Sequence, residues 1–274
     1  MMERLELTFH RLRRERRKAL VPFIMGGDPS LSLTGPMLVA LQAAGADVIE
    51  VGIPFSDPLA DGPVIQAASA RALTQGATPR TVLAAIASAR DRLRVPVVCL
   101  SYWNPVVQFG DAKRSTTRVR AEPFLRAAAD SGVAGLIVPD LPVEEGQAFH
   151  RAADAMGVAT IFLAAPTSPP QRLRHIARAS SGFIYYVSVT GTTGARRALP
   201  PGLAHGVRQL RLITTKPICV GFGISTPAQA ATVAQVADGV IVGSALIQTI
   251  QGARRRAEAL RRAARFLMSL RRAL

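Results

Sequence analysis

"DVIEVGIPFSDPLADGPVIQAASARAL" (47–73) reads as a strand, a loop and a helix in succession. Its first seven residues are apolar and β-branched apart from Asp47, Glu50 and Gly52, the composition of a strand covered on both faces. Pro54, Pro58 and Pro63 stiffen the middle, and "PVIQAASARAL" carries apolar residues at helical spacing, with proline at the favoured first helical position.

The same unit recurs along the chain. β-rich runs stand at "ALVPFIM" (19–25), "VPVVCLS" (95–101), "GLIVPD" (135–140), "ATIFLAA" (159–165), "GFIYYVSV" (182–189), "PICVGFG" (217–223) and "DGVIVGSA" (238–245), making eight with "DVIEVGI" (47–53). Helical patterns such as "PRTVLAAIASARDRL" and "TPAQAATVAQVA" lie between them. Strict alternation of eight such units predicts an α/β fold, a (β/α)8 TIM barrel, with an additional N-terminal helix. At 274 residues the chain suits one barrel domain over 1–274. An open doubly wound sheet is the alternative, but the first turn, "MGGDPS", lacks the spaced glycines of a dinucleotide loop.

In a barrel, chemistry belongs at the C-terminal strand ends. Alternation within "DVIEVGI" puts Val48, Glu50 and Gly52 on one face and Ile49 and Val51 on the other. The bulky β-branched pair fits the helix side, so Glu50 points into the barrel mouth. There it is either a desolvated general acid/base or a structural glutamate satisfied by backbone amides or an arginine. Asp61 has an equally ordinary alternative as a helix-start residue, and Asp57, in "SDP", as a turn residue.

Composition narrows the classes. Hydrophobic residues make up 49% and aromatics 5%, so Ala, Val, Leu and Ile build the core. No apolar run approaches the ~20 residues of a membrane helix, and "MMERLELTFHRLRRERRKAL" lacks a signal-peptide h-region, so a cytoplasmic location and no membrane partner are expected. Cys99 and Cys219 sit singly in strand-like runs and His10, His150, His175 and His205 are scattered, so no metal site is expected. The net charge of +16 is carried almost wholly by arginine, clustered at 11–18 and 253–274. Such charge attracts nucleic acid or an acidic partner, but without aromatic interleaving or a known motif it reads as solvated helix faces, and no nucleic-acid partner is expected. No lysine stands at a strand's C-terminal end, as a Schiff-base aldolase requires.

The segment "EVGIPFSDPLADGPVIQ", with "VPFIMGGDPS", "SYWNP", "VPDLPVEE", "YYVSVTGTTGAR", "VGFGIST" and "DGVIVGSAL" following the same order, resembles the tryptophan synthase alpha subunit over nearly the whole chain. The resemblance implies retro-aldol cleavage of indole-3-glycerol phosphate to indole and glyceraldehyde 3-phosphate. It implies Glu50 as acid/base, Asp61 as acceptor of the indole N–H, and Tyr185 as a third catalytic-site residue facing the mouth, where it orients Glu50 or lines the indole pocket. Phe23, Leu100 and Tyr102 become apolar walls. Gly194, Gly223, Gly243 and Ser244, with Phe222 close by, become phosphate contacts, and Thr193 and Gly194 belong to a lid within "SVTGTTGARRALPPG" (188–202). This chain carries no cofactor by that resemblance. Pyridoxal phosphate belongs to a beta subunit that joins it in an alpha–beta–beta–alpha complex and receives the indole, with the loop around Asp57 facing that partner. The basic segment "GDAKRSTTRVRAEP" (110–123) is longer than the family's usual connection, which leaves a standalone indole-releasing lyase as a rival. A noncatalytic basic barrel is a further rival, against which the acidic and phosphate positions count.

Overall fold

A computed structural model describes residues 2–110, 120–187, 202–221, 223–253 and 255–274. Helix α1 (Met2–Arg14) leads into β1 (Ala19–Met25), α2 (Leu31–Ala43), β2 (Ile49–Gly52), α3 (Pro63–Thr74) and α4 (Pro79–Ala87). There follow β3 (Val97–Leu100), α5 (Trp103–Val107), α6 (Glu122–Asp130), β4 (Val133–Ile137), α7 (Gln147–Ala155), β5 (Ala159–Ile161), β6 (Leu163–Ala164) and α8 (Pro170–Ala179). The chain continues through β7 (Ile184–Val187), α9 (Leu203–Arg211), β8 (Ile218–Gly221), α10 (Pro227–Ala234), β9 (Gly239–Val242), α11 (Ser244–Ile250) and α12 (Arg256–Arg271).

The hydrogen-bonded order is β5-β4-β3-β2-β1-β9-β8-β7-β6, and the strand pairs are parallel. Both ends of that order come from the fifth sequence run, which divides at Phe162. Its amide donates to Ser180 Oγ at 3.3 Å and its carbonyl accepts from the Tyr185 amide at 3.2 Å. Below that point the run pairs with β4 and beyond it with β7, so one covalent segment closes the barrel. Among the described residues, eight units thus appear as nine strand segments.

Two apolar populations follow from the pleat. Ile49, Val51, Val97 and Cys99 pack outward among Leu38, Leu41 and Phe124 of the helix layer. Val48, Val98, Ala134, Cys219 and Ile241 fill the interior. Leu5, Phe9 and Leu12 of α1 join that interior cluster, with Phe9 5.5 Å from the Phe183 ring. The leading helix therefore plugs the barrel end opposite the mouth. Burying each of these three side chains stabilises by about 1.5–3 kcal/mol.

Arginines serve mainly as anchors at element ends. Arg271 Nη1 bonds buried Asp47 at 2.7 Å while its Nη2 bonds the Lys18 carbonyl at 3.0 Å; Asp47 also accepts from the Leu20 amide. Arg4 caps the Leu93 carbonyl and Arg13 the Thr215 carbonyl. Lys216 Nζ lies on the carbonyls of Ala177 and Ser180 at the end of α8, where its charge meets the helix's negative end. Thr78 and Thr226 close capping boxes with Thr81 and Gln229. No helix among the described residues is long and apolar enough to cross a membrane.

Candidate active site

Glu50 stands mid-barrel on β2, in register with Phe23 of β1 and Val98 of β3. It has no solvent exposure, and neither carboxylate oxygen has a hydrogen-bond partner among the described residues. The structural alternative, a glutamate tied to amides or an arginine, is not what the fold builds. Burial penalises the charged form, and the Asp61 carboxylate repels it, so the Glu50 pKa rises from an ordinary 4.5 to about 8.

Asp61 arrives on a loop that the fold holds firmly. The Phe55 amide and carbonyl both bond Ser69 Oγ of α3 at 2.8 Å, and Arg71 of α3 makes a two-point pair with buried Asp28 at 2.8 Å. The Asp61 amide bonds the Pro58 carbonyl, and Gly62 takes the N-cap of α3 with Pro63 as its first residue. The Asp61 side chain, 5% exposed, accepts from the Tyr102 hydroxyl at 3.1 Å. Burial lifts its pKa to about 6, and the Tyr102 hydrogen bond opposes the rise. Asp57 lies on the exposed side of this loop, accepting from Ser56 Oγ, beside Leu59, which is 85% exposed.

One cavity joins Glu50 and Asp61 to Phe23, Leu100 and Tyr185, and continues to Gly223, Gly243 and Ser244. Two glycines make this crowding feasible. A Cβ on Gly52 would sit 2.7 Å from the Phe23 ring, and one on Gly221 would sit 2.6 Å from the Tyr185 hydroxyl. Gly243 follows β9 directly and is the N-cap of α11, with Ser244 as its first residue, because the chain enters a helix straight from the strand. Tyr102 stands behind Asp61 as its hydrogen-bond donor, whereas Leu100 and Phe23 line the cavity. Thr193, Gly194 and Phe222 lie outside the described residues, as does most of the segment 110–123.

Three further lining residues, Ile65, Ile224 and Ile241, escaped the sequence reading. Strand alternation carried the signal for Ile241, whose neighbours Val240 and Val242 face the helices. Ile65 follows from no strand pattern, since it belongs to the first turn of α3. Among the described residues no group of three His, Cys, Asp or Glu side chains is placed to hold a metal ion.

A closed parallel barrel with two carboxylates of raised pKa in its mouth defines a (β/α)8-barrel enzyme equipped for acid/base chemistry. Comparison with known proteins narrows the class. The family model described as "Tryptophan synthase alpha chain" matches residues 9–273. The tryptophan synthase alpha chain of Gloeobacter violaceus is 48% identical over 248 residues, 90% of this chain and 86% of that one. The Geobacter sulfurreducens protein of the same name is 44% identical over 273 residues, covering 100% and 99%. The crystal structure of tryptophan synthase subunit alpha from Legionella pneumophila superposes with a TM-score of 0.87 at 37% identity, covering 98% of this chain and 97% of that one. A Mycobacterium tuberculosis tryptophan synthase structure gives 0.87 at 36% identity with the same coverage. The chain belongs to the tryptophan synthase alpha chain family. It is accordingly a carbon–carbon lyase that partners a beta subunit, and pyridoxal phosphate belongs to that subunit.

Proposed function

We propose that this chain cleaves indole-3-glycerol phosphate to indole and glyceraldehyde 3-phosphate with Glu50 and Asp61 in separate roles. The reaction sets the requirements. The ring carbon bearing the glycerol chain gains a proton, which places positive charge on the ring nitrogen. The adjacent hydroxyl then loses a proton, its carbon becomes the aldehyde, and the electrons of the broken carbon–carbon bond return to the ring. One proton enters and one leaves, so a single carboxyl group completes the cycle unchanged if it acts first as acid and then as base.

The observation that carries this reading is the unequal setting of two carboxyls in one cavity: Glu50 is buried with no hydrogen-bond partner among the described residues, whereas Asp61 accepts from the Tyr102 hydroxyl. At pH 7, pKa values of about 8 for Glu50 and about 6 for Asp61 leave the first protonated and the second ionised, each by about ten to one. Glu50 therefore starts as the acid. Asp61 carries the charge that accepts the ring N–H and steadies the developing cation in a site of low polarity. Phe23, Leu100 and Tyr185 enclose the ring. Backbone N–H groups at Gly223, Gly243 and Ser244 hold the phosphate at the other end of the cavity, with Gly194 and Phe222 adding contacts and Thr193 carried on the lid.

We further propose that the whole chain, 1–274, works as one barrel domain in the cytoplasm, and that the exposed Ser56–Leu59 side of the Asp61 loop meets the beta subunit. The decisive experiment is indole release from indole-3-glycerol phosphate. Wild-type protein is expected to release indole, and Glu50→Gln to lose turnover while still binding substrate. Normal turnover in Glu50→Gln removes Glu50 from the mechanism. Addition of a cognate beta subunit is expected to give a larger sedimenting species with faster turnover, whereas an unchanged mass at micromolar concentrations makes the chain a standalone lyase.

A further inference from the structure

The Tyr102 hydroxyl occupies a position with only one consistent hydrogen-bond direction. It is 3.0 Å from the Ala60 amide nitrogen and 3.1 Å from Asp61 Oδ2. The amide can only donate, so it takes a lone pair of the phenol oxygen, and the phenol proton is left for the carboxylate. The chain amide to hydroxyl to carboxylate is polarised throughout in one sense. The ring itself is fixed, 2% exposed and 5.4 Å from the Phe55 ring on the same loop. The next residue is fixed as well, because the Trp103 amide bonds Asp140 at 2.8 Å.

We infer that Tyr102 is a positioning residue for the lyase step: its hydroxyl, seated between the Ala60 amide and the Asp61 carboxylate, aims Asp61 and keeps it able to accept the ring N–H. This rests on the function proposed above and goes beyond an apolar wall at Tyr102. The groups facing Asp61 leave Tyr102 a distinct part. Glu50 on β2 and Tyr185 on β7 are both electrostatically coupled to Asp61, and Asp140 faces Tyr102 from beyond β4. Burial favours the neutral acid, and the Tyr102 hydroxyl is the group opposing it. Among the described residues no lysine or arginine takes that part. Without the hydroxyl, Asp61 is protonated over more of the neutral range and its oxygen is free to rotate away from the ring nitrogen.

Tyr102→Phe tests this, because it keeps the ring and removes only the oxygen. With an upward displacement of about one pH unit for Asp61, kcat for indole-3-glycerol phosphate falls about fivefold at pH 6 but less than twofold at pH 8, with KM within about twofold. A merely structural role lowers kcat evenly across pH. In an Asp61→Asn background the same change is expected to have no further effect on the pH dependence of stability, read by urea unfolding at pH 5 and 8. An unmoved acidic limb, or a pH-dependent stability change undiminished by Asp61→Asn, overturns the inference. Carbon-13 NMR of the Asp61 carboxyl reads the same displacement without turnover, so it separates failure of this inference from failure of the proposed reaction, for which wild-type indole release is the control. Should Tyr102→Phe not fold, 3,5-difluorotyrosine placed at position 102 alone keeps the shape and strengthens the donor. It is expected to move the acidic limb downward, and an unmoved limb overturns the inference equally.

Discussion

Replacing Glu50 by glutamine is expected to make the folded protein less sensitive to alkaline pH even as it removes activity. The sign follows from proton linkage. With a pKa of about 8 folded and an ordinary 4.5 unfolded, the native state holds a proton on Glu50 that the unfolded chain releases above pH 4.5. Stability contributed by the protonated group is complete below 4.5 and is lost progressively as pH rises toward 8. The separation of 3.5, at about 1.4 kcal/mol for each pH unit, sets the full penalty at about 5 kcal/mol. At pH 5 it is about 1 kcal/mol and at pH 9 it is nearly complete, so the wild type loses about 4 kcal/mol across that interval that the variant keeps.

Glutamine has nearly the same shape, and any cost of its unbonded amide is the same at every pH. The informative quantity is consequently the slope of the difference and not its offset. Urea unfolding followed by far-ultraviolet circular dichroism at pH 5, 7 and 9 measures it for both proteins. Asp61 titrates in both, and its own raised pKa is common to the comparison. A stability difference that stays flat from pH 5 to 9 would refute the claim that Glu50 is held protonated by burial, and with it the acid role.

Other substitutions test the packing that holds the site. Gly221→Ala places a methyl 2.6 Å from the Tyr185 hydroxyl, so a loss of about 1–3 kcal/mol is expected from overpacking, with a lower kcat as Tyr185 shifts in the cavity it shares with Glu50. Urea midpoints and indole release check it, and an unaltered kcat shows that Tyr185 has room to yield. Arg271→Ala leaves buried Asp47 with the Leu20 amide and a distant Arg17 at 3.6 Å. A loss of about 2–3 kcal/mol is expected with kcat unchanged, since α12 ends far from the mouth. A double-mutant cycle with Asp47→Asn is expected to recover most of that loss as coupling energy, and additive losses show that Arg271 acts through packing alone.

What local sequence conveyed, and what it withheld, divides by the distance over which the determining contact acts. The eight runs and the inward face of Val48, Glu50 and Gly52 depend on the two-residue period of a strand, which is present in seven consecutive letters, and β1 spans the same residues in structure as in sequence. Ile241 carries the same signal within "DGVIVGSA", its neighbours Val240 and Val242 facing the helices. The division at Phe162 depends instead on two hydrogen bonds to residues 18 and 23 positions onward, which no local pattern records. Asp61 is the instructive case. Its local setting, a proline-rich turn before a helix, fits a helix-start residue equally well, and the family resemblance alone separated the two. What distinguishes it physically is a tyrosine 41 residues away, on the next strand's exit. Parallel β/α topology makes that proximity obligatory, because successive strand ends converge on one mouth. The barrel thus allows residues that are ordinary in their own segments to form, jointly, a pair of carboxyls with opposite protonation: one buried without a donor, the other with one.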